Sequence, residues 1–353
     1  MHQTKRFRMR SFLILAVTFL MLAFVVSASA ETKASAKIGN KKYESLQDAV
    51  DAVKDGQTIR LLKAVRTDQS LTIRKNRTFT INLDGKAYRY TGDGAAIQCG
   101  KGTVTIKGAN IKTPEKSGTS IQVTGLGNMR LESGSLVGSL KNAGTVVILN
   151  AAISGAAFPA IENIGTLSIE DGQFSGGTES LKNSGTCTIM GGTFGKGASS
   201  SIENSGNLTI KGGSFGNIHN TAILHIAEGT FNAPEGVVLE NTKGITQIDS
   251  GIFNGQVLNH AEMTINGGSY RETQNGKAVV ECTGGICTVS GGNFFSSLWI
   301  GIYVRKDAQA VFHGGYVSSG DGQYSIFSDA GTVTIFAVDT SGDIYYKYAS
   351  AYE

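Results

Sequence analysis

Downstream of the first thirty residues, His219, His225, His260 and His313 are the side chains best suited to ligate a metal or move a proton. Their spacing matches no metal-binding pattern, because metal ligands recur at short, characteristic intervals. None shares a repeat position with a histidine or aspartate one repeat away. Asp171, Asp249, Asp307 and Asp321 fall at different repeat positions. Two-carboxylate glycoside hydrolysis needs acids about 5–10 Å apart across a cleft, and no such pair is evident. The glycine pairs read as corner residues and not as an anion cradle. No catalytic residue, metal ligand or cofactor is expected.

One cluster carries a binding hypothesis. In the stretch SSLWIGIYVR, the alternation assigns Leu298, Ile300, Ile302 and Val304 to the core. Trp299, Tyr303 and Arg305 then point outward together, and aromatic rings beside a charged donor can stack on a sugar ring. A competing reading packs the tyrosine-rich tail over them and pairs Arg305 with Asp329 of the next repeat.

These residues sit on a repeat of about twenty residues. IENIGTLSIEDGQF (161–174), LKNSGTCTIMGGTF (181–194) and IENSGNLTIKGGSF (202–215) align directly, and further copies continue to Phe294. Apolar and polar residues alternate within each copy, as in Leu208-Thr209-Ile210-Lys211. A period of two means a strand with one buried face. The glycine pair that follows supplies the positive φ of a tight corner. Short strands, sharp corners and a fixed period describe a β-solenoid of roughly a dozen coils. Stacked at about 4.8 Å, they form a rod on the order of 60 Å long.

Columns follow from the stack. Asn142, Asn163, Asn183, Asn204, Asn220, Asn241 and Asn259 occupy one position. Each amide can donate to one neighbouring coil and accept from the other, so the role is structural. Phe174, Phe194, Phe215, Phe231, Phe253, Tyr270 and Phe294 form an internal aromatic column. Lys141, Glu162, Lys182, Glu203, His219, Glu240, Leu258 and Glu281 form an outward column whose first four members alternate in sign. Opposite charges at inter-strand distance pair, so this face sets register.

Four cysteines are few for an exported chain of this size. Cys187 and Cys287 share an inward column five coils apart, too far to bridge. Cys282 and Cys287 share a coil, yet small buried thiols are the expectation for all four, Cys99 included.

The ends differ from the body. Residues 1–30 combine Lys5, Arg6, Arg8 and Arg10, an apolar run and the small-residue site Ala28-Ser29-Ala30. That is the pattern of a secretory signal peptide, with Ala34-Ser35-Ala36 as a second cleavage site. Residues 31–62 read as an N-terminal cap. It holds a short helix begun by Ser45, with Leu46, Ala49, Val50 and Val53 on one face, and a first strand. Residues 63–340 form the solenoid and 341–353 a tyrosine-rich tail.

The helix-then-strand start, the twenty-residue coils, the asparagine column and the aromatic stack resemble the pectin-lyase-like superfamily. The resemblance covers roughly residues 41–340. It implies an all-β, single-stranded, right-handed parallel β-helix. It also implies a choice between polysaccharide lyases or hydrolases and non-enzymatic adhesins. The calcium-binding aspartate cluster with an arginine base, and the Asp-Asp, Asn-Thr-Asp and Gly-His-Gly strings of the enzymes, have no counterpart in this sequence.

The chain carries 32 Lys and Arg against 28 Asp and Glu. Removal of residues 1–30 takes away four bases and leaves 28 against 28. A neutral mature chain offers no long-range positive field for nucleic acid or anionic lipid. After signal cleavage no membrane span remains. The expectation is a secreted or surface-displayed, non-enzymatic, adhesin-like or scaffold module whose partner is a polysaccharide or cell-surface glycan. The alternative is a polysaccharide lyase or glycoside hydrolase. Recognition should sit on the longer connections Thr113–Gly118, Arg271–Lys277 and Phe295–Leu298.

Overall fold

The structure is a computed structural model and describes residues 33–346 apart from 115–117, 156 and 196–199. Residues 1–32, which include the stretch expected to be a signal peptide, and 347–353, the end of the tail, lie outside the described residues. The chain winds into a parallel β-solenoid of the right-handed type with about 13 turns. Each turn contributes three short strands. In one turn these are Ser139–Asn142, Thr145–Ile148 and Ala151–Gly155. Each pairs in parallel with its equivalent in the next turn, Ile161–Asn163, Thr166–Ile169 and Gly172–Gly176. The rod therefore has three side faces, here called one, two and three in that order.

Alternation fixes which atoms go inside. On face two, Ile148, Ile169, Ile189, Ile210, Ile226, Ile248 and Ile265 stack in register and are fully buried. Branched aliphatic side chains suit this position, because their stiff χ1 is matched to a pleated surface. On face three the aromatic column runs from Phe174 to Phe294. Successive ring centroids are 4.6–5.1 Å apart with interplanar angles of 6–28°. The rings repeat at the strand spacing, so every coil adds one offset-stacked contact.

The asparagines close the corner between faces one and two. Each Nδ2 donates to the Oδ1 of the asparagine one turn on, at 2.7–2.9 Å, from Asn142 through to Asn259. The same amides bond corner carbonyls, such as Asn204 to Ile223 O at 2.9 Å. After Asn142, Asn163, Asn183 and Asn204 the residue two on is glycine, and it serves proximity rather than a special dihedral. A Cβ on Gly165 would collide with the Gly144 carbonyl. The glycine pairs behave differently: the second member takes a positive φ, 105° at Gly192 and 114° at Gly213, which costs an L side chain energy.

The amide ladder stops at Cys282, which occupies the next rung after Asn259. Here the structure corrects the expectation of four free thiols. Cys282 and Cys287 form a disulfide, with Cα atoms 6.4 Å apart. Both point inward, and the tight corner between them turns one toward the other. Asn259 Nδ2, the last ladder donor, faces Cys287 Sγ at 3.4 Å. Cys99 and Cys187 are free and buried.

At the N-terminal end, Ala36–Ile38 pairs antiparallel with Lys41–Tyr43 and with Thr58–Leu61, the first rung. That pairing occupies a strand edge which would otherwise be open. Helix α1 (Leu46–Ala52) starts at Ser45, which forms a capping box with Asp48, and buries Leu46, Ala49 and Val50. At the other end Ile344–Tyr346 pairs in parallel with Ile326–Ser328. The start of the tyrosine-rich tail thus adds a rung, with Ile344 packed against the core.

Candidate functional site

The stretch 296–305 does not alternate throughout. The strand Asn293–Ser296 ends in a turn, where Ser296 Oγ accepts from the Trp299 amide at 3.0 Å. The next strand begins only at Ile302. Leu298 therefore lies outside the core, 54% exposed, against its assignment by alternation. Ile302 and Val304 are buried as expected. Trp299 is half-buried against Ile300, Tyr303 and Ala278. Tyr303 leaves the main core by alternation, but only 7% of it is exposed. A second, small apolar cluster covers it on the outside of face one.

That cluster is an assembly of rings. Trp299 meets Tyr303 edge-on at 5.7 Å, and Tyr303 meets Phe327 edge-on at 5.2 Å. Phe327 stacks on Tyr345 at 4.9 Å, and Tyr324 touches both. Sequence reasoning singled out Trp299, Tyr303 and Arg305, with the tyrosine-rich tail packed over them as the competing reading; Tyr345 of that tail joins the assembly through Phe327, and Tyr324 and Phe327 were missed. The signal was present. Tyr303, Phe327 and Tyr345 hold one register position on consecutive coils, continuing the outward column beyond Glu281.

Arg305 closes the edge of the cluster. Its guanidinium lies over the Tyr303 ring at 4.2 Å and its Nη1 donates to the Tyr303 hydroxyl at 3.3 Å. Its Nε bonds Glu281 Oε1 at 2.6 Å. The partner is thus a glutamate of the preceding coil, whereas Asp329 of the next coil contributes its field. Burial works against the cation, but Glu281, Tyr303 and Asp329 together raise its pKa above the usual value. Glu281 is further held by Gln256 Nε2 at 2.8 Å. The arrangement presents aromatic faces, a fixed guanidinium and a fixed carboxylate, which can stack on and hydrogen-bond a polyol.

Three histidines meet acids after all. His219 Nδ1 lies 2.7 Å from Glu203 Oε2, directly below it in the outward column. His225 and His260 reach Asp249 (2.6 Å) and Glu240 (3.5 Å) diagonally, so a search within columns passed over them. Threonine hydroxyls complete two apparent acid–imidazole–hydroxyl sets, Thr242 with His219 and Thr283 with His260. Each hydroxyl, however, donates to the carbonyl of an asparagine one turn back, as Thr221 does with no such set. The hydroxyl proton is committed to the corner, so these threonines act as fasteners. Among the described residues no three His, Cys, Asp or Glu side chains converge on a metal position.

Comparison of the chain with protein-family models, with curated proteins and with solved structures returns no match. The site is accordingly read from its own chemistry.

Proposed function

We propose that this chain is a secreted or cell-surface rod of the pectin-lyase-like β-helix type. It acts as a non-enzymatic, adhesin-like or scaffold module and binds a neutral or acidic glycan at its C-terminal coils. The observation that carries this reading is the external ring assembly of Trp299, Tyr303, Tyr324, Phe327 and Tyr345. It is bordered by the Arg305–Glu281–Gln256 network. Packing needs aromatic rings inside the rod. A second set on the outside is an interaction surface by composition.

Export is supported by the leader pattern and by the Cys282–Cys287 disulfide, which is stable in oxidising compartments. Ser35 and Ala36 are buried, and the Ser35 amide donates to Tyr43 O. Cleavage at Ala36 would remove part of this pairing, so the cut falls at Ala30.

Trp299 is the sole tryptophan, and its fluorescence reports on the site. Titration of the mature chain with a panel of neutral and acidic oligosaccharides should give a saturable change for at least one, without product release. Trp299→Ala should weaken that binding about tenfold, a loss of roughly 1.4 kcal/mol. Unchanged binding together with lowered stability would make the cluster a packing device. Release of reducing or unsaturated ends would replace this reading with a hydrolase or lyase.

A further inference from the structure

The first coil of a solenoid presents an open strand edge on each face, and this rod closes two of the three. On face two the edge of Thr58–Leu61 is taken by the antiparallel strand Ala36–Ile38. On face one a side chain stands in for a strand beside Leu71–Ile73. Gln47 Oε1 accepts from the Thr72 amide at 2.8 Å, and Gln47 Nε2 donates to the Thr72 carbonyl at 3.0 Å. On face three, among the described residues, Val65–Thr67 pairs only with Tyr88–Tyr90 of the second coil. Val65 N donates to Ala87 O at 2.8 Å, and Thr67 O accepts from Thr91 N at 2.9 Å. Both residues thus turn their main chain toward the second coil. The alternation of a ladder sends the Arg66 N–H and C=O the other way, and among the described residues no group bonds them.

The unpaired edge borders a cleft of about 660 Å3, within the roughly 300–1,000 Å3 of ligand clefts. Residues 63–67 form one wall, and Ser35 and residues 44–47 of the cap form another. Lys33, Lys63 and Arg66 bring three cations to the lining, and Glu44 brings one acid. All four are exposed, and among the described residues none of them takes part in an ion pair. The inward side of the cleft offers Val65, half-buried against the core, and Leu71.

We infer that this edge and cleft bind an extended peptide of alternating acidic and apolar residues, added to the rod as one more strand. The main chain of such a segment supplies the hydrogen-bond partners that Arg66 lacks. Successive side chains of the added strand point to opposite faces. Those level with Arg66 lie on the outer surface, where a carboxylate becomes the cross-strand neighbour of Arg66 and Lys63. Those level with Val65 turn inward, where an apolar side chain covers it. A polysaccharide has no row of amides with which to complete a ladder. A second copy of this chain, pairing edge to edge, would bring two sets of cations together. The charges that select an acidic strand therefore also protect the edge from self-association. The site stands at the opposite end of the rod from the ring assembly and does not depend on it.

The test is fluorescence anisotropy of a labelled hexapeptide of alternating glutamate and valine, titrated with the mature chain up to about 1 mM. Saturable binding is expected, and none of the lysine–valine counterpart. Only alternate amides of an added strand face the edge. N-methylation of all the valines, or of all the glutamates, should therefore abolish binding for at least one of the two peptides. Lys63→Gln/Arg66→Gln keeps the main chain and should bind about three- to tenfold more weakly. Arg66→Pro also removes the edge N–H, at a position where an edge strand tolerates proline, and should bind more weakly than Arg66→Gln. Melting curves like the parent's show that the glutamine variants are folded. Trp299→Ala should bind the peptide as the parent does. Absence of saturable binding, equal binding of the lysine–valine peptide or of both N-methylated peptides, or unchanged binding by Lys63→Gln/Arg66→Gln would overturn the inference. Tighter binding of alginate than of the peptide would give the cleft to a polysaccharide, and a dimer abolished by Arg66→Pro would give it to a second copy; either would overturn it too.

Discussion

Replacement of Asn204 by alanine probes the amide ladder at its centre. Asn204 is 1% exposed. Its Nδ2 donates to Asn220 Oδ1 (2.7 Å), Ile223 O (2.9 Å) and Gly206 O (3.1 Å), and its Oδ1 accepts from Asn183 Nδ2 at 2.8 Å. Alanine removes all of these and leaves the Ile223 carbonyl and the Gly206 amide, which donates to Asn204 Oδ1 at 3.3 Å, without this partner, while the Gly206 carbonyl keeps the Ile223 amide at 3.2 Å. Asn183 keeps bonds to Gly185 O and Asn207 O, so its loss is partial. Two part-buried groups losing a bond at about 1–2 kcal/mol each, with a partial loss at Asn183, give roughly 2–4 kcal/mol. Asn259→Ala should cost less, since beyond it stands a sulfur rather than another amide. Asn204→Asp should cost at least as much as alanine, because a carboxylate cannot donate to Asn220 Oδ1 and is buried without a counter-charge. The assay is thermal and urea unfolding of the three variants, with amide hydrogen exchange to locate the damage, since solenoids need not unfold in one step. Protection should fall first in the coils on either side of residue 204. A destabilisation below about 1 kcal/mol for Asn204→Ala, or equal costs at 204 and 259, would refute the directional ladder.

Phe231 lies in the middle of the aromatic column and is fully buried; Phe231→Ala should destabilise by about 3–5 kcal/mol in urea unfolding, and Phe231→Leu by clearly less. Burial pushes the Cys99 thiol up to about 11 and the Cys187 thiol higher still. The native chain at pH 8 should therefore show no fast-reacting thiol with a chromogenic disulfide reagent, two thiols after unfolding, and four after unfolding with reduction. The Gln247 amide and the His225 imidazole, helped by Asn266, hold the Asp249 carboxyl down at about 2, below its ordinary 3.8. A carboxyl depressed by folding adds stability above its unfolded pKa and loses it as pH falls toward the folded one. The melting temperature should thus drop more steeply for the parent than for Asp249→Asn between about pH 4 and 2, and parallel curves would contradict the assignment.

Much of the fold was legible because a solenoid repeats its instructions. An asparagine in each of seven consecutive coils, an aromatic ring in each of seven, and period-two strands between them leave one consistent stacking. What was not legible depends on places where the repeat breaks. Leu298 read as core because alternation was carried through a turn that the Ser296 hydroxyl closes. The Cys282–Cys287 pair was missed because five residues of separation say nothing of how tightly the corner folds. Arg305 was matched to the next coil, but the outward column placed a nearer acid, Glu281, on the coil before. His225 and His260 found acids along diagonals, a direction that a column-by-column alignment does not inspect. The ring assembly was half visible: the tail reading brought in Tyr345, but Tyr324 was not singled out and Phe327 was not followed down the outward column beyond Glu281.

The central claim is that coils stack in register irrespective of their residue count. Spin labels on the outward column of face one measure this directly by electron–electron double resonance. Glu162, Glu240 and Glu281 lie one, five and seven coils from Lys141. Labels at Lys141 paired with each should give backbone separations of about 5, 24 and 34 Å, rising in proportion to coil number. The short coil of 16 residues between Asn204 and Asn220 should count as one step, like the coils of 21. Distances that track residue number instead, or that fail to increase steadily along the column, would contradict the stacked rod and everything placed on it.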